Sequence, residues 1–370
     1  MGHDIIGIWA PLRYTNYGDD LQAIVIAKYI ISLGYEVKVF QLHESLAKYY
    51  GMNVAHNLPE LCENTKLCII AGGALLTPAL IHKRILNESM REYENDFKMM
   101  LEASKKFKTK FCAISMGGDG LERSPYWYYS RYRRNFFKSE YFLNGTVRLI
   151  DDIRQMEKFG KKFRYWPDFL LGTKSFIQLD SDIAINLSPG QKAIGFNLKK
   201  GKYLPKRLLD SIFDYSKHNT DLVFYFIKSH MDSSNVNYEY LPSEETDTIK
   251  VVKYTTPTQL LTIMSQIDIL ITSKLHLALT GLTVGTPYLS FRGPGKARTF
   301  TESINGSWAI LNDHITFAEL KSTYLTESKE KLFNRYDTKL IQEMMDQCNN
   351  HFEFCEKTIK GIYNKSRSLS

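Results

Sequence analysis

Short apolar runs alternate with longer segments of helical spacing along most of this chain, and that alternation predicts a parallel α/β architecture. The first run, Ile5-Ile-Gly-Ile-Trp9, predicts a buried strand; a polar loop then leads to a helix over 20–33 that stops at Gly34. Further strands are predicted over 36–41 and 67–71, the second running into Gly72-Gly73. A polar helix over 87–107 follows, then a strand over 111–115 and the loop Met116-Gly-Gly-Asp-Gly. An aromatic-rich helical stretch, a strand near 147–150 and a helix over 151–159 complete this half. The apolar runs are continuous because strands of a parallel sheet are covered on both faces.

Around 175–191 the chain turns polar, with Pro189-Gly190, and alternation restarts at Lys192. Strands are predicted near 193–198, 222–227, 249–252, 268–272 and 288–291, and a long helix over about 337–362. The expected organisation is a Rossmann-like domain over 1–180, a second over 190–336, and a closing segment, 337–370, whose helix crosses back. Two doubly wound halves facing a cleft is the fold class this implies.

A length of 370 residues suits two domains, and 44% apolar with 24% charged residues suits a globular chain. The net charge of +8 is compatible with nucleic acid, with small anionic substrates, or with peripheral contact with an acidic membrane. Nucleic acid is disfavoured, because the lysines are scattered and no finger, RNP motif or basic repeat occurs. The chain opens on a strand with no basic n-region, and no stretch approaches the roughly 20 apolar residues that span a bilayer. A cytoplasmic protein is expected. The five cysteines are odd in number and lack zinc spacing, which predicts buried thiols in a reducing compartment.

Candidate chemistry gathers at Lys274-Leu275-His276 and at Lys296 within Phe291-Arg-Gly-Pro-Gly-Lys-Ala-Arg. The apolar run before Lys274 predicts a strand and the segment after it a helix, so His276 falls at a strand-to-helix turn. Open α/β sheets bind ligands there, because backbone N–H groups and the helix dipole face the crevice. A cationic turn with a titratable group suits an anionic substrate and proton transfer.

Asn16, Gly18 and Asp19 form a second candidate, a turn enabled by Gly18 that points both polar side chains at the crevice; an ordinary helix N-cap is the alternative. Gly72-Gly73 admits either close approach of a ligand or a plain tight turn. Arg148 offers a bidentate fork, or is a surface arginine. Lys199-Lys200 extends a cationic strand end, or is solvated. His230 and Asp232 could contact a sugar or cap a loop. The stretch Tyr126–Lys138 admits sugar stacking, rest on an anionic membrane, or simple packing of an amphipathic helix. No serine elbow, Walker A motif or metal-ligand cluster is present in the sequence, and no metal or cofactor is expected.

Taken in order, these segments resemble the polysaccharide pyruvyl transferase family. The resemblance runs from about residue 5 to about 310. It rests on Asn16-Tyr-Gly-Asp19, the Gly72-Gly73 strand end, Arg148 with Gly160, Pro167-Asp168, Lys274-Leu-His276, Gly285-Thr-Pro287 and Lys296. The last group is the most specific, since the family typically carries Arg-Leu-His followed by a lysine at this distance.

The resemblance implies a GT-B-like fold and transfer of the pyruvyl unit of phosphoenolpyruvate, a co-substrate, onto two hydroxyls of one sugar. A carboxyethylidene ketal forms and phosphate leaves. It implies that Lys274, Leu275, Lys296, Arg148 and Lys199 bind the donor. His276 acts as acid or phosphate-binding cation and Asp19 as base, roles that could be exchanged. Asn16, Gly72, Gly73 and His230 fall on the acceptor side. The implied acceptor is a glycan of a cell-surface polysaccharide or its lipid-linked oligosaccharide precursor. The chain departs from the family where Lys274 stands for Arg, Lys199 falls near another expected Arg, and Leu149 follows Arg148 in place of Asp. Lysine keeps the charge and loses the planar fork. The main alternative is a GT-B-type glycosyltransferase using a nucleotide sugar, against which stands the lack of a clear Glu-based ribose motif in the second half. A binding protein without catalysis is the third reading.

Overall fold

The computed structural model describes residues 4–77, 88–118, 125–201, 204–233 and 238–367. The chain forms two compact units. The first gathers Met1–Thr15, Asp19–Phe169 and Met345–Ser370, and the second gathers Asn16–Gly18 and Leu170–Met344. The chain thus leaves the first unit at Phe169, ahead of the polar stretch 175–191.

The first unit is built on β1 (Ile5–Trp9), β2 (Glu36–Phe40), β3 (Asn53–Ala55), β4 (Thr65–Ala71), β5 (Lys110–Met116), β6 (Phe142–Val147) and β7 (Phe163–Tyr165). Among the described residues they form a parallel sheet in the order β3-β2-β1-β4-β5-β6-β7. Strand order reverses between β1 and β4, so the ends of those strands open the crevice where such sheets take ligands. Trp9, Phe97, Phe111, Phe136, Phe137 and Phe142 fill the core beside β5 and β6.

One expectation for this half is corrected. The strand placed near 147–150 is β6, which ends at Val147. Gly145 lies inside this strand, where a Cβ would fall 2.4 Å from the Ala113 carbonyl. The stretch 126–138 is a 3-10 turn, Tyr126–Tyr128, followed by the helix Arg131–Lys138. Its Arg133 is 1% exposed and pairs with Glu94 at 2.6 Å while donating to the Leu75 carbonyl at 2.8 Å. Phe136 and Phe137 are buried as well, so for these three residues the packing alternative holds. Trp127 and Tyr132 stay exposed.

The long helix Thr338–Arg367 belongs to the first unit from Met345 onward. There His351 is fully buried, its Nδ1 2.6 Å from the Thr146 hydroxyl and its Nε2 2.9 Å from the Pro167 carbonyl. The Thr146 oxygen also accepts the Ser115 N–H at 2.8 Å, which ties the helix to the ends of β5 and β6.

The second unit is built on β8 (Lys192–Asn197), β9 (Leu222–Lys228), β10 (Ile249–Lys253), β11 (Ile269–Thr272), β12 (Tyr288–Phe291) and β13 (Ile310–Leu311). Among the described residues this sheet is also parallel, ordered β10-β9-β8-β11-β12-β13, and its order reverses between β8 and β11. All five cysteines are buried and none is bonded to another. No described helix is long and apolar enough to cross a membrane.

Candidate functional site

At the switch point of the second unit, Asn197 closes the end of β8 by donating to the Ile227 carbonyl at 2.9 Å and meeting the Thr272 hydroxyl at 3.4 Å. The Thr272 oxygen in turn accepts the Lys274 N–H at 3.0 Å. These bonds turn the chain out of β11 and set Lys274 as the extended residue before the helix Leu275–Thr283.

The Lys274 ammonium donates to Glu239 Oε1 at 2.5 Å and to the Ser229 hydroxyl at 2.8 Å. The Ser229 hydroxyl in turn donates to the same carboxylate oxygen at 2.6 Å. His230 Nδ1 lies 2.9 and 3.0 Å from the two Glu239 oxygens. The Glu239 side chain is 2% exposed. Burial alone would raise its pKa; the hydrogen bond from His230 and the charge of Lys274 outweigh that and hold the carboxyl well below the usual range. Lys274 therefore brings its charge already balanced by an acid.

The segment Asn16–Gly18 belongs to this unit. Asn16 bridges His230 in antiparallel register, and the Tyr17 N–H donates to the Ser229 carbonyl at 2.9 Å. The Tyr17 hydroxyl donates to Thr280 at 2.9 Å, on the helix that carries His276. The expectation that Gly18 makes a turn is corrected: the helix starts at Tyr17, so Gly18 lies in its first turn. Glycine is required for another reason, since a Cβ here would fall 1.7 Å from His276 Nδ1. Asn16, whose side-chain oxygen accepts the Gly18 N–H at 3.1 Å, does the capping considered for Asp19.

Lys296 sits in the first turn of the helix Gly295–Ser303. The turn before it lies against the Lys274 turn: a Cβ on Gly293 would come within 3.6 Å of the Ser273 carbonyl. Lys199 is exposed, and its backbone bridges Glu239. Of the candidates, the second unit thus brings together Asn16, Lys199, His230, Lys274 and His276, with Lys296 on the neighbouring turn.

Leu275 opens the helix of the second unit and is buried, whereas Gly72, Gly73, Arg148 and Asp19 lie in the first unit. Gly72 and Gly73 adopt positive φ, 64° and 82°, after β4. The Gly73 N–H donates to Gln22 at 3.0 Å, and a Cβ on Gly72 would strike the same side chain at 2.3 Å. Arg148 follows β6 with its side chain 1% exposed and its guanidinium 2.8 Å from Asp168, so it is no surface arginine. Asp19 is half-buried in the first helical turn.

Sequence reasoning missed Glu239, Ser229, Gln22 and Tyr17. A Glu in Tyr238-Glu-Tyr240 carries no signal of burial, since most glutamates are exposed. Among the described residues, no group of three or more His, Cys, Asp or Glu side chains could hold a metal.

No family model matches the chain, and no curated protein matches it in sequence. Solved structures do match. The chain is similar to S. aureus MnaA, solved with UDP, at 10% identity and a TM-score of 0.61, over 98% of this chain and 97% of that one. It is similar to UDP-GlcNAc 2-epimerase from Neisseria meningitidis, bound to UDP-GlcNAc, at 12% identity and 0.57, over 96% and 99%. A glycosyltransferase from Rickettsia africae aligns at 11% identity and 0.51, over 98% and 99%. At such identities the likeness carries the fold: two Rossmann-like parallel α/β domains, as in GT-B glycosyltransferases and UDP-GlcNAc 2-epimerases.

Proposed function

We propose that this chain is an enzyme of carbohydrate assembly that takes a phosphorylated donor at the strand ends of its second unit, and that the donor is phosphoenolpyruvate. The observation that carries this reading is the His276 turn, cleared by Gly18, beside the turn that bears Lys296. Two helix N-termini, one bearing His276 and the other Lys296, suit a phosphate.

In the reaction, the methylene carbon of phosphoenolpyruvate takes a proton and C2 becomes electrophilic. One sugar hydroxyl adds to C2 and loses its proton; a second then displaces phosphate, which leaves with the electrons of the C–O bond and takes up that hydroxyl's proton. His276 supplies a proton or holds the phosphate. Asp19 is the proposed base that deprotonates the acceptor. The acceptor is a surface glycan or its lipid-linked precursor.

A second reading, a GT-B-type glycosyltransferase using a nucleotide sugar, has its own support. The aligned structures were solved with UDP or UDP-GlcNAc, or are glycosyltransferases, and they favour this donor over phosphoenolpyruvate.

Thermal-shift titration separates the two. Phosphoenolpyruvate, UDP-, GDP- and CMP-sugars and inorganic phosphate are each titrated; a ligand at 100 times its Kd stabilises the folded state by about 2.7 kcal/mol. A rise in Tm with phosphoenolpyruvate that disappears in Lys296→Ala is the expected result. A rise with a nucleotide sugar and none with phosphoenolpyruvate transfers the assignment to glycosyl transfer.

A further inference from the structure

We infer that His230 is a proton-transfer group of this site, acting at Nε2, and that Glu239 is its positioning residue. The protein contains its own contrast. His351, a packed structural histidine, has both ring nitrogens hydrogen-bonded, Nδ1 to Thr146 and Nε2 to the Pro167 carbonyl. His230 is also buried, 4% exposed, and among the described residues its ring bonds run to Nδ1, which meets both oxygens of Glu239 at 2.9 and 3.0 Å. Among the described residues no hydrogen bond reaches its Nε2.

A carboxylate that fixes one ring nitrogen sets the tautomer and leaves the other nitrogen for chemistry. With the proton on Nδ1, neutral His230 presents a lone pair at Nε2 and can accept a hydroxyl proton. Once protonated, the same nitrogen donates to an anionic oxygen, and Glu239 stabilises the imidazolium. The charged groups facing the ring are Glu239 and Lys274, whose ammonium is 3.3 Å from Nδ1; the Tyr238 ring stands at 5.9 Å, edge to face. Lys274 and Ser229 hold the carboxylate still, and the backbone bridge from Asn16 holds the histidine. Glu239 is thus the hub that orders three of the site's polar side chains.

The chemical role rests on the reading that a phosphorylated donor binds at these strand ends; the tautomer does not. Nitrogen-15 NMR of histidine-labelled protein separates the two, with the His230 signals assigned by their loss in His230→Asn. The wild type is expected to carry the neutral-form proton on Nδ1. Glu239→Gln is expected to mix the tautomers, because the amide can donate to Nδ1 as well as accept from it. Phosphoenolpyruvate or inorganic phosphate is expected to move the Nε2 resonance. A proton on Nε2 in the wild type overturns the inference, and this readout needs no variant to fold. An unchanged tautomer in a folded Glu239→Gln protein overturns it equally. The Nδ1 tautomer with an Nε2 that no phosphate compound moves supports the dyad geometry and counts against the phosphorylated donor instead.

Discussion

At Gly18 the requirement for glycine comes from a distance, because a Cβ there would sit 1.7 Å from His276 Nδ1. Gly18→Ala forces the ring away or shifts the first helical turn. The expected cost is about 1–3 kcal/mol of stability, read by denaturant unfolding, together with a weakened response to phosphoenolpyruvate. A variant as stable and as responsive as the wild type would show that the ring does not depend on this contact. Residue by residue, the candidate site was legible where chemistry declares itself by type. Lys274, His276 and Lys296 announce a cationic turn, and Gly18 announces a constraint whose source, the His276 ring, lies far off in sequence. Glu239 was invisible because nothing in its neighbours marks a glutamate as buried. Arg148 was half legible: its type was informative, but its pairing with Asp168 depends on two segments that meet only in the fold.

At the scale of elements, apolar runs located the central strands well, since a strand covered on both faces must be apolar throughout. The three-residue strands Asn53–Ala55 and Phe163–Tyr165, and the two residues of Ile310–Leu311, are too short to show a pattern. The long helix Thr338–Arg367 was legible as a helix, but its tie through His351 was not. Burial holds that imidazole neutral, lowering its pKa to about 4. A histidine depressed in this way binds fewer protons folded than unfolded, so its contribution is complete above its ordinary pKa and is lost as pH falls towards 4. The loss amounts to about 3 kcal/mol across that window. Urea unfolding at pH 7 and pH 4.5 is expected to show a smaller acid penalty in His351→Gln than in the wild type. Equal penalties would mean that His351 is not the group titrating.

For the molecule as a whole, alternation of strand and helix predicted two Rossmann-like halves, and the two parallel sheets bear that out. Strand order could not be read, because periodicity reports which face is buried and not which strand is the neighbour. Identities of 10–12% to the aligned structures show how little sequence this fold needs in common, and why donor identity must come from the site. The site in question lies at the ends of β8 and β11, where Lys274 and His276 leave the sheet. A crystal structure with phosphoenolpyruvate bound tests this most directly. The account predicts the phosphate within hydrogen-bonding distance of His276 or Lys296, on the turns that follow β11 and β12. Phosphoenolpyruvate absent from those turns, with a nucleotide sugar's diphosphate seated there in a parallel crystal, would contradict it.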